Sequence, residues 1–288
     1  MTEVITTGLS GLVGSRLLEI FPDYRLQDLS LDSGHDVLKP NTLVDTFSRS
    51  PAKTVLHFAA FTDTNAAWEQ RGDKNGLCYQ LNVIGTKNIA DLCRQYHKHL
   101  IHISTDYVFD GSKTTSYTET DTLNPLDWYA QTKYDAEKVV SPEFTVIRIA
   151  SPYRAIFNAK IDLVRKIIGK LKNNEVCKLF ADQYTTPTFI DDIAIGLGKV
   201  INNPLLGIYH LVGSSSQSVY DMGQQIANIF GFDQKLIQPS SLADYLKTDN
   251  ARPYAPNLSL SNQKFIDNYS FTPKTLSEGL AEMKKQLT

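Results

Sequence analysis

No stretch of this chain approaches the roughly 20 consecutive apolar residues that a membrane-spanning helix requires, so no such helix is expected. Charge of one sign is lacking too. Lys and Arg number 29 against 31 Asp and Glu, a formal net charge of −2, which gives no global attraction for nucleic acid or an anionic membrane. Cysteine is scarce: Cys78, Cys93 and Cys177 are odd in number, widely spaced and form no Cys-x-x-Cys pair. Reduced thiols in a cytoplasmic protein are therefore expected rather than a disulfide framework. The opening Met1-Thr2-Glu3-Val4-Ile5-Thr6-Thr7 enters a strand pattern at once and leaves no room for a signal peptide. No repeat period or low-complexity tract is present. His97, His99 and His102 lack metal-ligand spacing and read as strand edge and loop, and no metal site is expected.

What is present is an alternation of β-type and helical patterns. Glu3 to Thr6, Tyr24 to Asp28, Thr54 to Phe58, Leu100 to Ser104 and Phe144 to Ile149 read as strands; Leu12 to Phe21, Leu77 to Tyr96 and Trp128 to Val140 read as helices. Such alternation implies a doubly wound parallel sheet of the Rossmann α/β class, with ligands bound outside the carboxyl ends of the strands. After Ile149 the rhythm loosens. Helices are expected over Ile161 to Asn173, Asp191 to Asn202, Val219 to Phe230 and Leu276 to Gln286, with short strands near Lys178 to Phe180 and Ile208 to Leu211. Turn-rich stretches at Pro239 to Ser241 and Arg252 to Pro256 suggest a lobe lining a cleft. The expected division is a dinucleotide-binding domain over 1–150, with 186–205 packing back on it, and a smaller α/β substrate lobe over most of 151–288.

Thr7-Gly8-Leu9-Ser10-Gly11-Leu12-Val13-Gly14 follows the first strand and opens the first helix. Gly8 permits a tight turn, Gly11 lets backbone approach a pyrophosphate that the helix N-terminus favours, and Gly14 lets helix and sheet pack closely. Gly8, Ser10, Gly11, Leu12 and Val13 are thus candidate cofactor contacts, although the spacing is GxxGxxG and a plain turn before a helix also explains three glycines. Asp28, at the end of the second strand, can accept hydrogen bonds from an adenosine ribose and repel a 2′-phosphate. That leans toward NADH over NADPH. Asp32 is a rival, a solvated turn is compatible with either, and Arg16 stands near enough to offer a phosphate a partner. Asp36 and Val37 fit the adenine edge or a surface turn.

Two Tyr-x-x-x-Lys pairs occur, Tyr129/Lys133 and Tyr134/Lys138. With 14 tyrosines in the chain and Lys at about one position in fifteen, about one match is expected by chance. The two pairs cannot share a site, because five helical residues rotate by about 500°, or about 140° net. Tyr129 lies in the first turn, near the strand ends, and only it is joined by the hydroxyls of Ser104-Thr105. A tyrosine ionises near pH 10 and is a sluggish acid–base group alone; a neighbouring ammonium would favour its phenolate. Thr105, Tyr129 and Lys133 therefore form a candidate group for moving a proton onto a carbonyl oxygen as hydride arrives. A buried Tyr beside a solvated Lys is the structural alternative.

With these residues the chain resembles extended short-chain dehydrogenases/reductases, and among them the dTDP-4-dehydrorhamnose reductase group. The likeness rests on the glycine loop, His57-Phe58-Ala59-Ala60-Phe61-Thr62, Asn82, Ser104-Thr105-Asp106-Tyr107-Val108-Phe109-Asp110-Gly111, and Tyr129-Ala130-Gln131-Thr132-Lys133. It continues in Asp182-Gln183-Tyr184-Thr185-Thr186-Pro187-Thr188, Gly207 to Leu211, Arg252-Pro253 and Asn257 to Leu260. The resemblance implies a homodimeric enzyme of dTDP-rhamnose biosynthesis that uses NAD(P)H on a 4-keto nucleotide sugar, with Thr105, Tyr129 and Lys133 as catalytic residues. It also implies Phe58, Ala59, Ala60, Thr62 and Asn82 beside the cofactor, and Thr105, Asp106, Val108, Ser151 and Arg252 on the substrate side. Where the family commonly carries a pocket-lining Trp, this chain has Ser151. Where some members hold magnesium through glutamate, it has Arg16. A nucleotide-sugar epimerase shares the same residues. So does a non-catalytic reading, a cofactor-binding regulatory subunit like that of methionine adenosyltransferase. A 4,6-dehydratase would carry an acidic residue after Asp106, where Tyr107 stands.

Overall fold

The computed structural model describes residues 2–287. Strand β1 (Glu3–Thr7) is buried along nearly its whole length, as an interior parallel strand covered on both faces must be. It is followed by α1 (Leu12–Ile20), β2 (Arg25–Asp28), α2 (Val44–Arg49), β3 (Thr54–His57), α3 (Thr64–Glu69), α4 (Leu77–Tyr79), a π-helical segment Gln80–Gly85, α5 (Thr86–Gln95), β4 (His99–Thr105), α6 (Trp128–Val140) and β5 (Thr145–Ile149). The chain continues through β6 (Pro152–Tyr153), α7 (Leu163–Lys172), β7 (Cys177–Phe180), β8 (Tyr184–Thr185), β9 (Thr188–Phe189), α8 (Ile190–Asn202), β10 (Gly207–His210) and β11 (Gln217–Ser218). Then come α9 (Val219–Phe230), β12 (Ile237–Ser240), α10 (Leu242–Tyr245), β13 (Asn257–Leu258), α11 (Gln263–Tyr269) and α12 (Leu276–Leu287).

The main sheet runs β10-β5-β4-β3-β1-β2 with every pair parallel. From β1 the chain goes outward to β2, then crosses back to β3 on the other side. The loops after β1 and β3 thus leave adjacent strands where the winding reverses, the position at which open α/β sheets bind ligands. One face is covered by α1, α8 and α11 through Leu17, Ile193, Leu197, Ile201 and Phe265. The other is covered by α2, α5 and α6 through Phe47, Ile89, Cys93 and Val140. A separate apolar cluster, with Tyr153, Ile167, Met222, Ile226, Leu280 and Met283, forms the smaller lobe. The strand expected near 208–211 extends the main sheet beside β5, and α11 joins α8 in returning to the first core. Both β10 and α11 thus pack with the larger sheet, beyond the returning segment expected over 186–205.

The long helix expected over 77–96 is continuous but carries the π segment in its first half. Thr86 Oγ1 donates to the Asn82 carbonyl (2.7 Å), drawing that oxygen into a side-chain bond within the wider turn. α6 has the predicted bounds because Asp127 Oδ1 caps it, accepting from Ala130 N (2.7 Å). Its other end is tied to the sheet by a buried ion pair: Arg148 on β5 donates from Nε (2.9 Å) and Nη2 (2.7 Å) to the Glu137 carboxylate. Removing one partner of such a pair leaves a buried charge unmatched. Arg148→Met is expected to lower stability by about 3–5 kcal/mol in denaturant unfolding, and Arg148→Met with Glu137→Met to lose clearly less. Equal losses in the two proteins would contradict this account.

Candidate active site

The glycine loop is shaped by contact between the two loops at the switch point. Gly8 has φ +70, and a Cβ there would stand 2.8 Å from Ala59 N, so only glycine lets the β1 loop lie against the β3 loop. Gly11 caps α1 with no side-chain bond to the first-turn amides. Those donors and the helix dipole are suited to a phosphate. Gly14 does not serve helix–sheet packing as expected; its missing Cβ would meet Leu9 O at 2.6 Å, so it packs the helix start on the loop's own backbone. Asp28 Oδ1 accepts from Leu9 N (3.2 Å) and Thr6 Oγ1 (3.1 Å), which fastens the loop to the end of β2.

Several expected cofactor contacts sit elsewhere. Arg16 is not free for a phosphate: it forms a two-point pair with Asp191 (2.7 and 2.8 Å) and another with Glu19. Asp36 accepts from Leu38 N (2.9 Å) within its own turn, and Val37 is buried against Gly85; neither lines the cleft. Asn82 does not reach the cleft either. Fully buried on the π segment, its Oδ1 accepts from Phe61 N (2.7 Å) and its Nδ2 donates to Thr132 Oγ1 (2.9 Å). It fastens the loop after β3 to α6.

The cleft itself measures about 590 Å³ and is lined by Gly8, Ser10, Gly11, Leu12, Val13, Phe58, Ala59, Ala60 and Thr62 on the loop side. Thr105, Asp106, Tyr107, Tyr129, Lys133 and Ser151 form the opposing wall, and Phe157 and Lys160 reach in from the segment after β6. Such a volume suits a ligand of cofactor or nucleotide size. Tyr134 lies outside it, partly buried with the Lys138 ammonium 3.8 Å over its ring, as a packing residue would be.

Thr105 ends β4 and donates to Asp106 Oδ1 (3.0 Å). Across the same wall the Tyr129 ring meets Tyr107 edge-on at 5.9 Å. Lys133 Nζ donates to Ile103 O (2.7 Å) and lies 3.2 Å from His102 Nε2. Burial first, then the nearby Tyr107, Asp106 and Asp127, push the Tyr129 phenol well above its usual range. Lys133 was expected to lower it; the ammonium is instead held against β4. Burial lowers Lys133 itself to about 8, opposed by the Glu137 and Cys78 charges. Asp106 is pushed up to about 7 by burial, and its Oδ2 has no hydrogen-bond partner. The wall therefore holds a protonated phenol, a carboxyl that titrates near neutrality and a lysine that stays charged only up to mildly alkaline pH.

On the substrate side the expectations divide. Ser151 lines the cleft in a left-handed conformation (φ 40), its hydroxyl 2.7 Å from Thr185 Oγ1. Val108 is fully buried in a core cluster with Phe109 and Tyr117 and contacts no cleft. Arg252 is buried too: it donates to Thr64 and Asn65 on α3 and sits 3.8 Å from Asp127, strapping the lobe to the ends of α3 and α6. Among the described residues no group of three or more His, Cys, Asp or Glu could hold a metal ion. No described helix is long and apolar enough to cross a membrane.

Residues that the sequence reading missed include Lys160, which donates to Thr62 Oγ1 (3.1 Å) across the cleft, and His102. Spacing alone assigns this histidine to a strand edge or loop. It is instead buried in an interior strand against Lys133. The available signal was a polar side chain interrupting Leu100-Ile101-His102-Ile103, an otherwise apolar parallel strand.

Comparison with known proteins finds likeness across the whole chain. The family model described as the RmlD substrate binding domain matches residues 1–288. A dTDP-4-dehydrorhamnose reductase of Aggregatibacter actinomycetemcomitans is 28% identical over 249 residues, covering 83% of this chain and 81% of that protein. The crystal structure of a dTDP-4-dehydrorhamnose reductase from Clostridium acetobutylicum superimposes with a TM-score of 0.87 at 26% identity, covering 99% of each chain. The Xenopus laevis methionine adenosyltransferase 2 subunit beta is 25% identical over 274 residues, covering 90% of this chain and 80% of that protein.

The buried Asp106 carboxyl makes a stability prediction. Because its folded pKa, about 7, lies above the unfolded value, its contribution is fully present below about pH 4 and is lost as pH rises through about 7. Asp106→Asn should therefore be the more stable protein at pH 8, by about 1–3 kcal/mol, with the gap closing toward pH 4. Denaturant titrations at the two pH values measure it; a gap independent of pH would show that Asp106 carries no such buried charge.

Proposed function

The chain belongs to the RmlD substrate binding domain family, and on that premise we propose that it is an NAD(P)-dependent oxidoreductase that reduces the keto group of a nucleotide sugar, a dTDP-4-dehydrorhamnose-like 4-keto sugar above all. The observation that carries this reading is the meeting, in one cleft, of an uncapped helix N-terminus with Thr105, Tyr129 and Lys133. Gly8, Ser10, Gly11, Leu12 and Val13 would hold the diphosphate of a dinucleotide; Phe58, Ala59, Ala60, Thr62 and Lys133 would lie along its nicotinamide half. When bound, the dinucleotide supplies a hydride.

The chain's own task is the proton. With its hydroxyl proton turned from Asp106 to the substrate, Thr105 Oγ1 would hold the carbonyl oxygen, and Tyr129 gives that oxygen its own hydroxyl proton. A phenol kept protonated by burial is in the state needed for the reductive direction. Giving up the proton leaves Tyr129 as a phenolate, and the Lys133 ammonium, one turn along α6, would balance that charge. Asp106 and Ser151 offer polar contacts to the sugar. The Asp28 carboxylate at the end of β2, with Arg16 engaged by Asp191, supports NADH over NADPH.

The likeness to the Xenopus subunit supports a second reading, a regulatory chain that binds cofactor without turnover. Absorbance of the reduced dinucleotide, followed across a panel of nucleotide 4-keto sugars, separates the two. Net consumption with at least one sugar is expected; silence across the panel with cofactor bound would favour the regulatory reading or an epimerase. With the active sugar, Tyr129→Phe should cut kcat at least about a hundredfold and leave dinucleotide affinity near normal. Unchanged turnover in that variant would remove Tyr129 from the mechanism.

A further inference from the structure

A charged lysine has three N–H donors and no acceptor. Lys133 has one donor directed at Ile103 O (2.7 Å) and another at His102 Nε2 (3.2 Å), both on β4. Since the ammonium can only donate, His102 Nε2 accepts, and the imidazole proton sits on Nδ1. That Nδ1 is buried and without a partner, so the ring forgoes a hydrogen bond on one side while serving Lys133 on the other. Burial, the Lys133 charge and His57 hold His102 well below its usual pKa. It is neutral, and able to accept, at any pH at which the protein would work.

His57 stands behind His102, with ring centroids 5.6 Å apart. Its own nitrogens are occupied: Nδ1 by Thr7 Oγ1 (2.6 Å) and Nε2 by Thr86 Oγ1 (3.1 Å). Because Thr86 gives its hydroxyl proton to Asn82 O, His57 Nε2 carries the hydrogen and Nδ1 accepts from Thr7. Burial lowers His57 to about 3, so it too is neutral. The oriented His57 ring therefore packs beside the imidazole of His102.

We propose that His102 is a positioning residue for Lys133: its imidazole and the Ile103 carbonyl take two of the three ammonium donors and direct the third into the cleft. The inference rests on the functional reading above, in which Lys133 meets the bound dinucleotide. The other charged or titratable groups facing Lys133 are Glu137 and Tyr129 on its own helix, Cys78 on α4, and His57 on β3. Of these only Glu137 and Cys78 favour its charged form. Loss of the His102 acceptor should therefore make the charge harder to keep.

The test is binding of reduced dinucleotide, followed by its fluorescence between pH 6 and 10, with no turnover required. In the unmodified protein, affinity should fall as pH rises through about 8, the value to which burial brings Lys133. Lys133→Met should bind weakly at every pH. His102→Leu should move the midpoint down by about one pH unit and weaken binding about fivefold at pH 8. His102→Gln, whose amide oxygen can accept, should restore the midpoint, whereas the shorter His102→Asn should behave like the leucine variant. Thermal melts followed by circular dichroism identify a leucine variant that fails to fold, and the Gln and Asn pair then decides. A folded leucine or asparagine variant with an unshifted midpoint overturns the role of His102. If Lys133→Met keeps the pH dependence of the unmodified protein, the assignment of Lys133 to the cofactor falls and this inference falls with it.

Discussion

The arrangement of the cleft depends on how α6 is rotated against the sheet, and a buried ion pair sets that rotation. Tyr129, Lys133 and Glu137 are four residues apart along α6, so they share one face and move together. Glu137 is held by two hydrogen bonds from Arg148, a side chain with no exposed surface in the middle of β5. Arg148 lies 3.3 Å from His210 on β10 and 5.1 Å over the Phe109 ring, so its own position is set by the sheet and by the turn after β4. Two charges taken out of water are stabilising only in good geometry. That requirement leaves the helix one azimuth, and the same azimuth brings Lys133 against β4 and Tyr129 to the strand ends.

The pair also matters electrically. Glu137 is the first of the charges that keep Lys133 an ammonium despite its burial, while Arg148 balances Glu137. Toward the cleft the balance reverses: Tyr129, Tyr107 and Asp106 are all driven toward their protonated forms, chiefly by desolvation. One helix therefore runs from a matched ion pair at its base to a wall rich in unreleased protons at its mouth. A wall of that kind is suited to giving a proton to an oxygen that gains negative charge, and poorly suited to taking one away.

Much of this was legible in the sequence. The periodic patterns gave β1, α6 and α9 nearly to the residue, because a capping Asp or Ser stands before each of these helices and the glycine turn follows the strand. The place of the glycine loop, Thr105, Tyr129 and Lys133 along one cleft was legible because the loop and Thr105 end strands and Tyr129 and Lys133 share a face of the next helix. What could not be read were partnerships across the chain. Arg16 looked available until Asp191, far along the sequence, closed on it. Val108 and Arg252 sit inside motif-like runs, yet one is core and the other a strap, and only tertiary packing separates those roles from ligand contact. The polar character of His102 was visible; that its strand is interior and that Lys133 lies opposite were not.

The π segment shows why such partnerships matter for the cleft. A regular α-helix over 77–96 would rotate Asn82 out of register with its present partners. The wider turn lets one side chain reach Phe61 in the loop after β3 and Thr132 on α6 together. The same segment takes the Thr86 hydroxyl, which in turn orients His57 and, through it, Thr7 at the root of the glycine loop. The loop suited to a diphosphate and the helix that carries Tyr129 are thus joined by a continuous set of buried hydrogen bonds that includes no residue of the cleft surface. A π turn is a local disruption of the helical ladder, retained where it serves a site. Here it ties the glycine-loop side of the cleft to the α6 side, so that neither can shift without breaking bonds that water cannot replace.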